Sequence, residues 1–261
     1  MTIKEPKWGD SSFFFIPNED TSIICEAILC LDKQPLNPVF VGGSGMALIE
    51  AINTLPNNSN ATYVDISSNQ VDYFRFLLSG LKKCHSALEF QGWFINTIYP
   101  KLRDHYIKYK NQVYNQEQVL SALENLFRVS FLFCDTSFQK VKSAINRIKI
   151  KKSDILNYLN ENKQYDFIYL SNVVDYINPE YYSGIFNDCF KNNASIYLLM
   201  TDACNQKEQI KNAWKNAGYK VHKNSRLLSA QNRGLGSFEL KRSWNRKGEV
   251  YLLIKSGPKT S

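Results

Sequence analysis

Short apolar runs rich in β-forming residues alternate along the chain with segments whose apolar residues recur at helical spacing. This alternation predicts an α/β fold with a mostly parallel central sheet and helices on both of its faces. A chain of 261 residues is long enough for one such domain with a continuous core, and we expect residues 1–261 to form it. Strands are predicted at 38–41, 61–65, 147–154, 165–170, 195–200, 218–222 and 249–254, with helices at 46–53, 70–83, 155–159 and 206–217.

Two segments exceed this minimal plan. Residues 1–36 precede the first strand and contain a predicted helix at 21–31. Residues 87–138 separate the second and third strands, and we expect them to form a helical cap insertion beside a ligand crevice, with a helix at 116–126. Core packing is the alternative explanation for its aromatic stripe, which consists of Tyr99, Leu102, Tyr106 and Tyr109.

The net charge of +8 raises the question of a polyanion partner. The basic residues are dispersed, and the densest clusters, 147–152 and 241–247, are not continuous positive helices. The sequence therefore favours a solvated basic surface over a nucleic-acid site. No apolar stretch approaches the roughly eighteen residues of a membrane span, and the first residues lack an apolar signal core, so no membrane partner is expected.

The six cysteines are scattered and contain no Cys-x-x-Cys pair. Reduced thiols in a cytoplasmic protein explain them best, and we expect neither a disulfide framework nor a metal site. His85, His105 and His222 suggest no catalytic triad. Ser44 lacks the flanking pattern of a nucleophile elbow, which argues against a hydrolase.

A glycine-rich turn, Gly42–Gly45, follows the first predicted strand and opens a helix. Glycines there allow a ligand to approach the backbone closely, and the first N–H groups of the helix can face an anion or a carboxylate. No Gly-Lys-Ser/Thr follows, which excludes a P-loop, and Leu48 replaces the third glycine of the dinucleotide fingerprint. The turn alone is compatible with several nucleotides.

Polar side chains follow three further strands where each strand ends. Asp65 stands about twenty residues after the glycines, where a carboxylate can accept both hydroxyls of an adenosine ribose. Asp154 ends the third strand, where it can reach the exocyclic amine of adenine, and residues 171–176 follow the fourth. Four such strand ends predict a nucleoside site. The alternative is that Asp65 or Ser67, and also Asp154, are helix N-caps.

A trail of short motifs runs through nearly the whole chain. It comprises Asn18-Glu19-Asp20, Glu26-Ala27, the glycine turn, Val64–Gln70, Leu81–Lys83, Leu88–Gly92, Tyr99–Arg103, Ser171–Asp175 and Arg242–Tyr251. Together these motifs resemble the S-adenosylmethionine:diacylglycerol 3-amino-3-carboxypropyl transferases of betaine-lipid synthesis. The resemblance implies a Rossmann-like class I methyltransferase fold. It also implies an S-adenosylmethionine site lined by Gly43, Gly45, Asp65, Gln70, Asp154, Ser171, Asn172 and Asp175.

Neighbouring residues complete the predicted cofactor site, namely Gly42, Ser44, Ile66 and Ile155. Many enzymes of this fold carry an acidic residue just before the glycines, where it holds the amine of the methionine moiety. This chain has Val39, Phe40 and Val41 there. We therefore expect Glu19, Asp20 or Asp175 to hold the amine instead.

The resemblance implies attack on the γ-carbon of the methionine moiety, which releases methylthioadenosine. The attacking group is either a small acceptor or the molecule's own amine, which would close an azetidine ring. Asp175 or Tyr176 could deprotonate or orient the nucleophile, although a strand-end cap or a packed ring explains them equally well. Two alternatives stay open: a small-molecule methyltransferase on the same fold, and a non-catalytic nucleoside-binding protein.

Overall fold

Seven strands in the described part of the chain form one sheet. The computed structural model describes residues 21–101, 134–162, 164–171, 177–201, 204–223 and 248–255, together with Pro6, Leu132 and Val173. The strands are β1 (Pro38–Val41), β2 (Thr62–Asp65), β3 (Lys149–Lys152), β4 (Phe167–Ser171), β5 (Ser195–Thr201), β6 (Tyr219–Val221) and β7 (Gly248–Lys255). Their order across the sheet is β3-β2-β1-β4-β5-β7-β6.

All neighbouring pairs from β3 to β5 are parallel, whereas β7 is antiparallel to both β5 and β6. The predicted, mostly parallel sheet is confirmed, and its architecture is compatible with a Rossmann-like fold. The sheet is mixed because β7 lies between β5 and β6. Six strands therefore end at the same edge, here called the carboxyl edge.

Helices cover both faces of the sheet, as predicted. They are α1 (Ser22–Leu29), α2 (Met46–Ala51), α3 (Ser68–Lys83), α4 (Ala87–Thr97), α5 (Asp135–Ala144), α6 (Ile155–Glu161), α7 (Tyr182–Lys191) and α8 (Lys207–Asn216). Residues of α1 to α5 form one buried cluster, and residues of α6 to α8 form another. Alternate strand residues supply the two clusters, so Phe40 joins the first while Val39 and Val41 join the second.

Strand β1 is central and buried along its whole length. A strand covered on both faces reads as a continuous apolar run, which is why residues 38–41 were predictable. Pro38 occupies the first position of the strand, where the missing N–H is tolerated. The Phe40 ring packs against Phe167 and Tyr169 of β4, with ring centroids 6.2 and 5.3 Å away.

Strand β3 is an edge strand of the sheet and is shorter than predicted. Arg147 belongs to a 3-10 turn, and Asp154 lies beyond the strand as the cap of α6. Its three lysines are exposed. Charged side chains on a border strand hinder pairing with another sheet, so this part of the basic cluster has a structural explanation.

The two described ends of the predicted cap pack into the first cluster. Asp135 at the start of α5 accepts a hydrogen bond from the Ala87 N–H at 2.7 Å, and the Phe90 and Phe138 ring centroids lie 6.1 Å apart. Tyr99 is buried there too. Leu102, Tyr106, Tyr109 and the predicted helix at 116–126 lie outside the described residues, as does most of segment 1–36.

No helix among the described residues combines the length and the apolar character needed to cross a membrane.

Candidate functional site

The ends of β1, β2 and β3 are joined by backbone hydrogen bonds at the carboxyl edge. The Gly42 N–H donates to the Val64 carbonyl at 2.8 Å, and the Ser153 N–H donates to the Asp65 carbonyl at 3.0 Å. These bonds bring together the glycine turn, Asp65 and the segment that leads to Asp154. The predicted meeting of these three strand ends is therefore observed.

The glycine turn has a backbone that only glycine adopts readily. Gly42, Gly43 and Gly45 have φ values of 67°, 71° and 77°, in the left-handed region. A Cβ on Gly43 would meet no atom within 4 Å, whereas one on Gly45 would lie 2.1 Å from the Phe74 ring. Gly43 therefore borders open space, and Gly45 is required by packing.

Ser44 lies within the turn but is buried. Its Oγ accepts a hydrogen bond from the Met46 N–H at 3.3 Å, at the start of α2. The side chain of this predicted contact residue therefore forms a hydrogen bond with the protein's own backbone.

Asp65 is a partly buried carboxylate beside the turn. Its Oδ1 accepts a hydrogen bond from the Ser67 N–H at 2.7 Å, and a Cβ on Gly42 would lie 3.4 Å from Oδ2. Burial raises the pKa of Asp65 from 3.8 to about 6, and no ion pair to it is found among the described residues. A partly buried, poorly hydrated carboxylate is a strong acceptor for hydroxyl donors of a ligand.

Tyr63 links Asp65 to the turn, and sequence reasoning missed it. Its hydroxyl donates to the Gly43 carbonyl at 2.9 Å and lies 3.4 Å from Asp65 Oδ2. Its ring is fully buried and stacks on Phe74 with a centroid distance of 4.2 Å. Strand periodicity contained a signal, because residues two apart on a strand share a face.

Gln70, a predicted ligand contact, is directed into the core. It is 2% exposed on the buried side of α3, and its side chain hydrogen-bonds Tyr63. The N–H of Gln70 donates to Ser67 Oγ at 3.3 Å, so Ser67 is the N-cap of α3. In this structure Gln70 supports Tyr63 from the core.

Ile66 and Ile155, predicted as neighbours of the ligand, differ in exposure. Ile66 follows Asp65 directly and is 69% exposed. Ile155 is buried in the second cluster. Ile66 therefore offers a free apolar surface at the carboxyl edge.

Asp154 acts as a helix cap. Its Oδ1 accepts hydrogen bonds from the Leu156 and Asn157 N–H groups at 2.9 and 3.3 Å, which satisfies the first turn of α6. The helix-cap alternative is therefore correct for this residue. Both bonds use Oδ1, and the contact of Asp154 with adenine stays a prediction.

The end of β4 reaches the same turn. Its register against β5 shifts between Tyr169 and Ser171, and such irregularities commonly redirect side chains near functional sites. Val173 lies close to the glycine turn, since a Cβ on Gly42 would come within 3.5 Å of its Cγ2. The predicted site residues Glu19, Asp20, Asn172, Asp175 and Tyr176 lie outside the described residues.

Within the described ranges, no cluster of three or more His, Cys, Asp or Glu side chains is arranged to hold a metal ion. The sequence matches none of the protein-family models and none of the curated proteins with which it was compared.

Proposed function

We propose that the chain is an enzyme that binds S-adenosylmethionine at the carboxyl edge and promotes attack on the γ-carbon of its methionine moiety. One observation carries the proposal: the left-handed glycine turn lies directly against the partly buried carboxylate of Asp65. Gly43 would allow close approach of the ligand, and Asp65 would accept the ribose hydroxyls. Ile66 would supply an apolar contact for the adenine.

The strand order supports the finer fold that the resemblance implies. The sequence β3-β2-β1-β4-β5 follows the doubly wound arrangement in which a ligand binds outside the carboxyl ends of the strands. The antiparallel β7 between β5 and β6 departs from a simple dinucleotide-binding sheet. We take this arrangement as a class I methyltransferase fold.

The proposed reaction needs few protein groups. The bond between sulfur and the γ-carbon breaks, its electron pair goes to the sulfonium sulfur, and neutral methylthioadenosine leaves without being protonated. The nucleophile is a small acceptor or the molecule's own amine, which loses one proton as azetidine-2-carboxylate forms. Positioning and exclusion of water then supply most of the catalysis. Asp175 and Tyr176 are the proposed proton acceptor or orienting groups.

The apolar strand before the turn is compatible with cyclisation, one of the two proposed routes of attack on the γ-carbon. Val39, Phe40 and Val41 are buried, so β1 offers no carboxylate to the methionine amine. The nucleophile in cyclisation is the neutral amine, so a carboxylate that holds the amine must also accept its proton, which is the role proposed for Asp175.

Incubation with S-adenosylmethionine, followed by mass spectrometry, tests the proposal. We expect methylthioadenosine, and azetidine-2-carboxylate without added acceptor would identify the cyclisation. S-adenosylhomocysteine would instead support the methyltransferase alternative. Measurable binding with no product from any candidate acceptor would support a non-catalytic nucleoside-binding protein.

Replacing Ile66 with serine should weaken ligand binding without destabilising the protein. Loss of the apolar contact is expected to raise the Kd for S-adenosylmethionine about tenfold, which isothermal titration calorimetry would measure. The free energy of unfolding should change by less than about 0.5 kcal/mol, because the side chain is already exposed.

Leu88→Ser is the matched control. Leu88 is 76% exposed and follows α3, whose 16 residues run about 24 Å away from the carboxyl edge. It should change neither binding nor stability. Equal Kd values for wild type and Ile66→Ser would exclude Ile66 from the site.

A further inference from the structure

We propose that Tyr63 is a positioning residue that connects occupancy of Asp65 to the conformation of the glycine turn. The inference rests on the proposed function, because the occupant is taken to be the ribose of the nucleoside. Tyr63 itself is fully buried and so does not touch the ligand. It would act through the two groups that do.

The Tyr63 hydroxyl has one proton and two acceptors. The Gly43 carbonyl lies at 2.9 Å and Asp65 Oδ2 at 3.4 Å. A proton donated to one acceptor leaves the other without it, so the two hydrogen bonds compete. The shorter distance favours the Gly43 carbonyl as the main acceptor, while Asp65 Oδ2 shares the same hydroxyl.

Packing fixes the position of the Tyr63 ring. It stacks on Phe74, and the Phe74 ring in turn occupies the space that a Cβ on Gly45 would need. Gln70 also hydrogen-bonds the hydroxyl from the buried side of α3. The hydroxyl is therefore fixed between the turn and the carboxylate.

A ligand with two vicinal hydroxyls would favour the hydrogen bond from Tyr63 to the Gly43 carbonyl. When both hydroxyls donate to Asp65, the carboxylate no longer draws the Tyr63 proton, and the bond to Gly43 strengthens. The turn is then held in its left-handed form around the ligand. Part of the binding free energy would come from a residue that the ligand never contacts.

Other ionisable groups around this pair are few among the described residues. Lys152 on β3 is the backbone partner of Asp65, and its side chain is exposed. Tyr73 on α3 is fully buried and acts on Tyr63 electrostatically. Tyr63 and Asp65 thus form the pair whose hydrogen bonding a titration would report.

Tyr63→Phe tests the inference through the Asp65 carboxyl itself. Removal of the hydroxyl takes away a hydrogen bond to the charged form, so the pKa of Asp65 should rise by about 0.5 to 1, as measured by carboxyl ¹³C NMR on the ligand-free protein. The Kd for S-adenosylmethionine should rise about five- to tenfold. In an Asp65→Asn background, Tyr63→Phe should cause a smaller loss.

Tyr219→Phe is the matched control. The Tyr219 hydroxyl also donates to a backbone carbonyl, that of Ala194 at 2.7 Å, but it belongs to the second cluster. It should lower stability to a similar extent while leaving the Asp65 titration and the Kd unchanged. Should Tyr63→Phe fail to fold, 3-fluorotyrosine in place of Tyr63 keeps the ring and donates more strongly, so it should lower the pKa of Asp65.

The outcomes separate the two proposals. The inference would be overturned if the wild-type protein binds S-adenosylmethionine and Tyr63→Phe changes neither the Asp65 titration nor the Kd. That result would leave the proposed function standing. Wild-type protein that binds no S-adenosylmethionine would overturn the proposed function, and with it the assignment of Tyr63 to a nucleoside site. A raised Asp65 pKa with weaker binding supports both.

Discussion

Asp65→Asn is expected to lower the affinity for S-adenosylmethionine about 100-fold at pH 7.5 while making the free protein more stable. The substitution keeps the shape of the side chain, and its oxygen can still accept the Ser67 N–H. It removes charge-assisted hydrogen bonds to two ribose hydroxyls, each of which contributes about 1.5 kcal/mol or more. Isothermal titration calorimetry would measure the loss.

The gain in stability follows from the burial of a charge. Burial raises the pKa of Asp65 from 3.8 to about 6, so the folded state binds more protons than the unfolded state between these pH values. Stability from this group is therefore present at low pH and falls as pH rises through the window. The shift corresponds to about 3 kcal/mol, and with the partial solvent access of the side chain we expect Asp65→Asn to gain about 2 kcal/mol at pH 7.5.

Denaturant unfolding at pH 4 and pH 7.5 checks the sign, because the gain should nearly disappear at pH 4. Wild-type affinity should also fall below pH 6 as Asp65 becomes protonated. Asp188→Asn, which removes a carboxylate near the end of α7 that pairs with Lys191 at 3.8 Å, is the control and should leave affinity unchanged. A loss of stability at both pH values would show that Asp65 is a structural acceptor only.

The second large effect is expected at Gly45. In Gly45→Ala, the new Cβ would lie 2.1 Å from the Phe74 ring and the residue would keep a φ of 77°. Overpacking and left-handed strain together should lower the free energy of unfolding by about 4 kcal/mol. Calorimetry should find a Tm lower by about 10 °C.

Gly43→Ala is the matched comparison. Its φ of 71° carries similar strain, but its Cβ would meet no atom within 4 Å. It should lose only about 1 kcal/mol of stability and yet bind S-adenosylmethionine at least tenfold more weakly, because the methyl group would occupy ligand space. Unchanged binding by Gly43→Ala would place the ligand elsewhere.

Phe74→Leu provides a test of the mechanism at Gly45. The smaller side chain should relieve the clash, so the double variant should be more stable than the sum of the two single effects. Strictly additive losses would show that the backbone conformation, not the Phe74 ring, dominates the cost at Gly45.

Much of the fold was predictable because the strands are apolar runs bounded by turns. Residues 38–41 were predicted as they are observed, since β1 is buried on both faces. The third strand was predicted too long because a short alternating pattern does not mark where a strand begins or ends, and here Arg147 belongs to a turn and Asp154 to a helix cap. The insertion of β7 between β5 and β6 depends on tertiary pairing, which local periodicity does not encode.

The candidate site was predictable where it depends on topology and less so where it depends on packing. Parallel strands bring their ends to one edge, so the proximity of Asp65 to the glycine turn followed from strand order. Tyr63 was missed because its partner, the Gly43 carbonyl, belongs to another strand's turn. Gln70 was expected at the ligand from the family resemblance, and its inward orientation toward Tyr63 depends on tertiary packing that a motif does not encode.

The central position of β7 has a consequence for the order of assembly. β6 pairs with β7, and β7 in turn pairs with β5, so residues 219–221 have no place in the sheet until residues 248–255 have been synthesised. During synthesis on the ribosome, the side of β5 that pairs with β7 stays unpaired until β7, the last described strand, has been made. Completion of the sheet is therefore a late event in folding, and a nascent chain that stalls before residue 248 would present an open strand border to the chaperones that bind such surfaces.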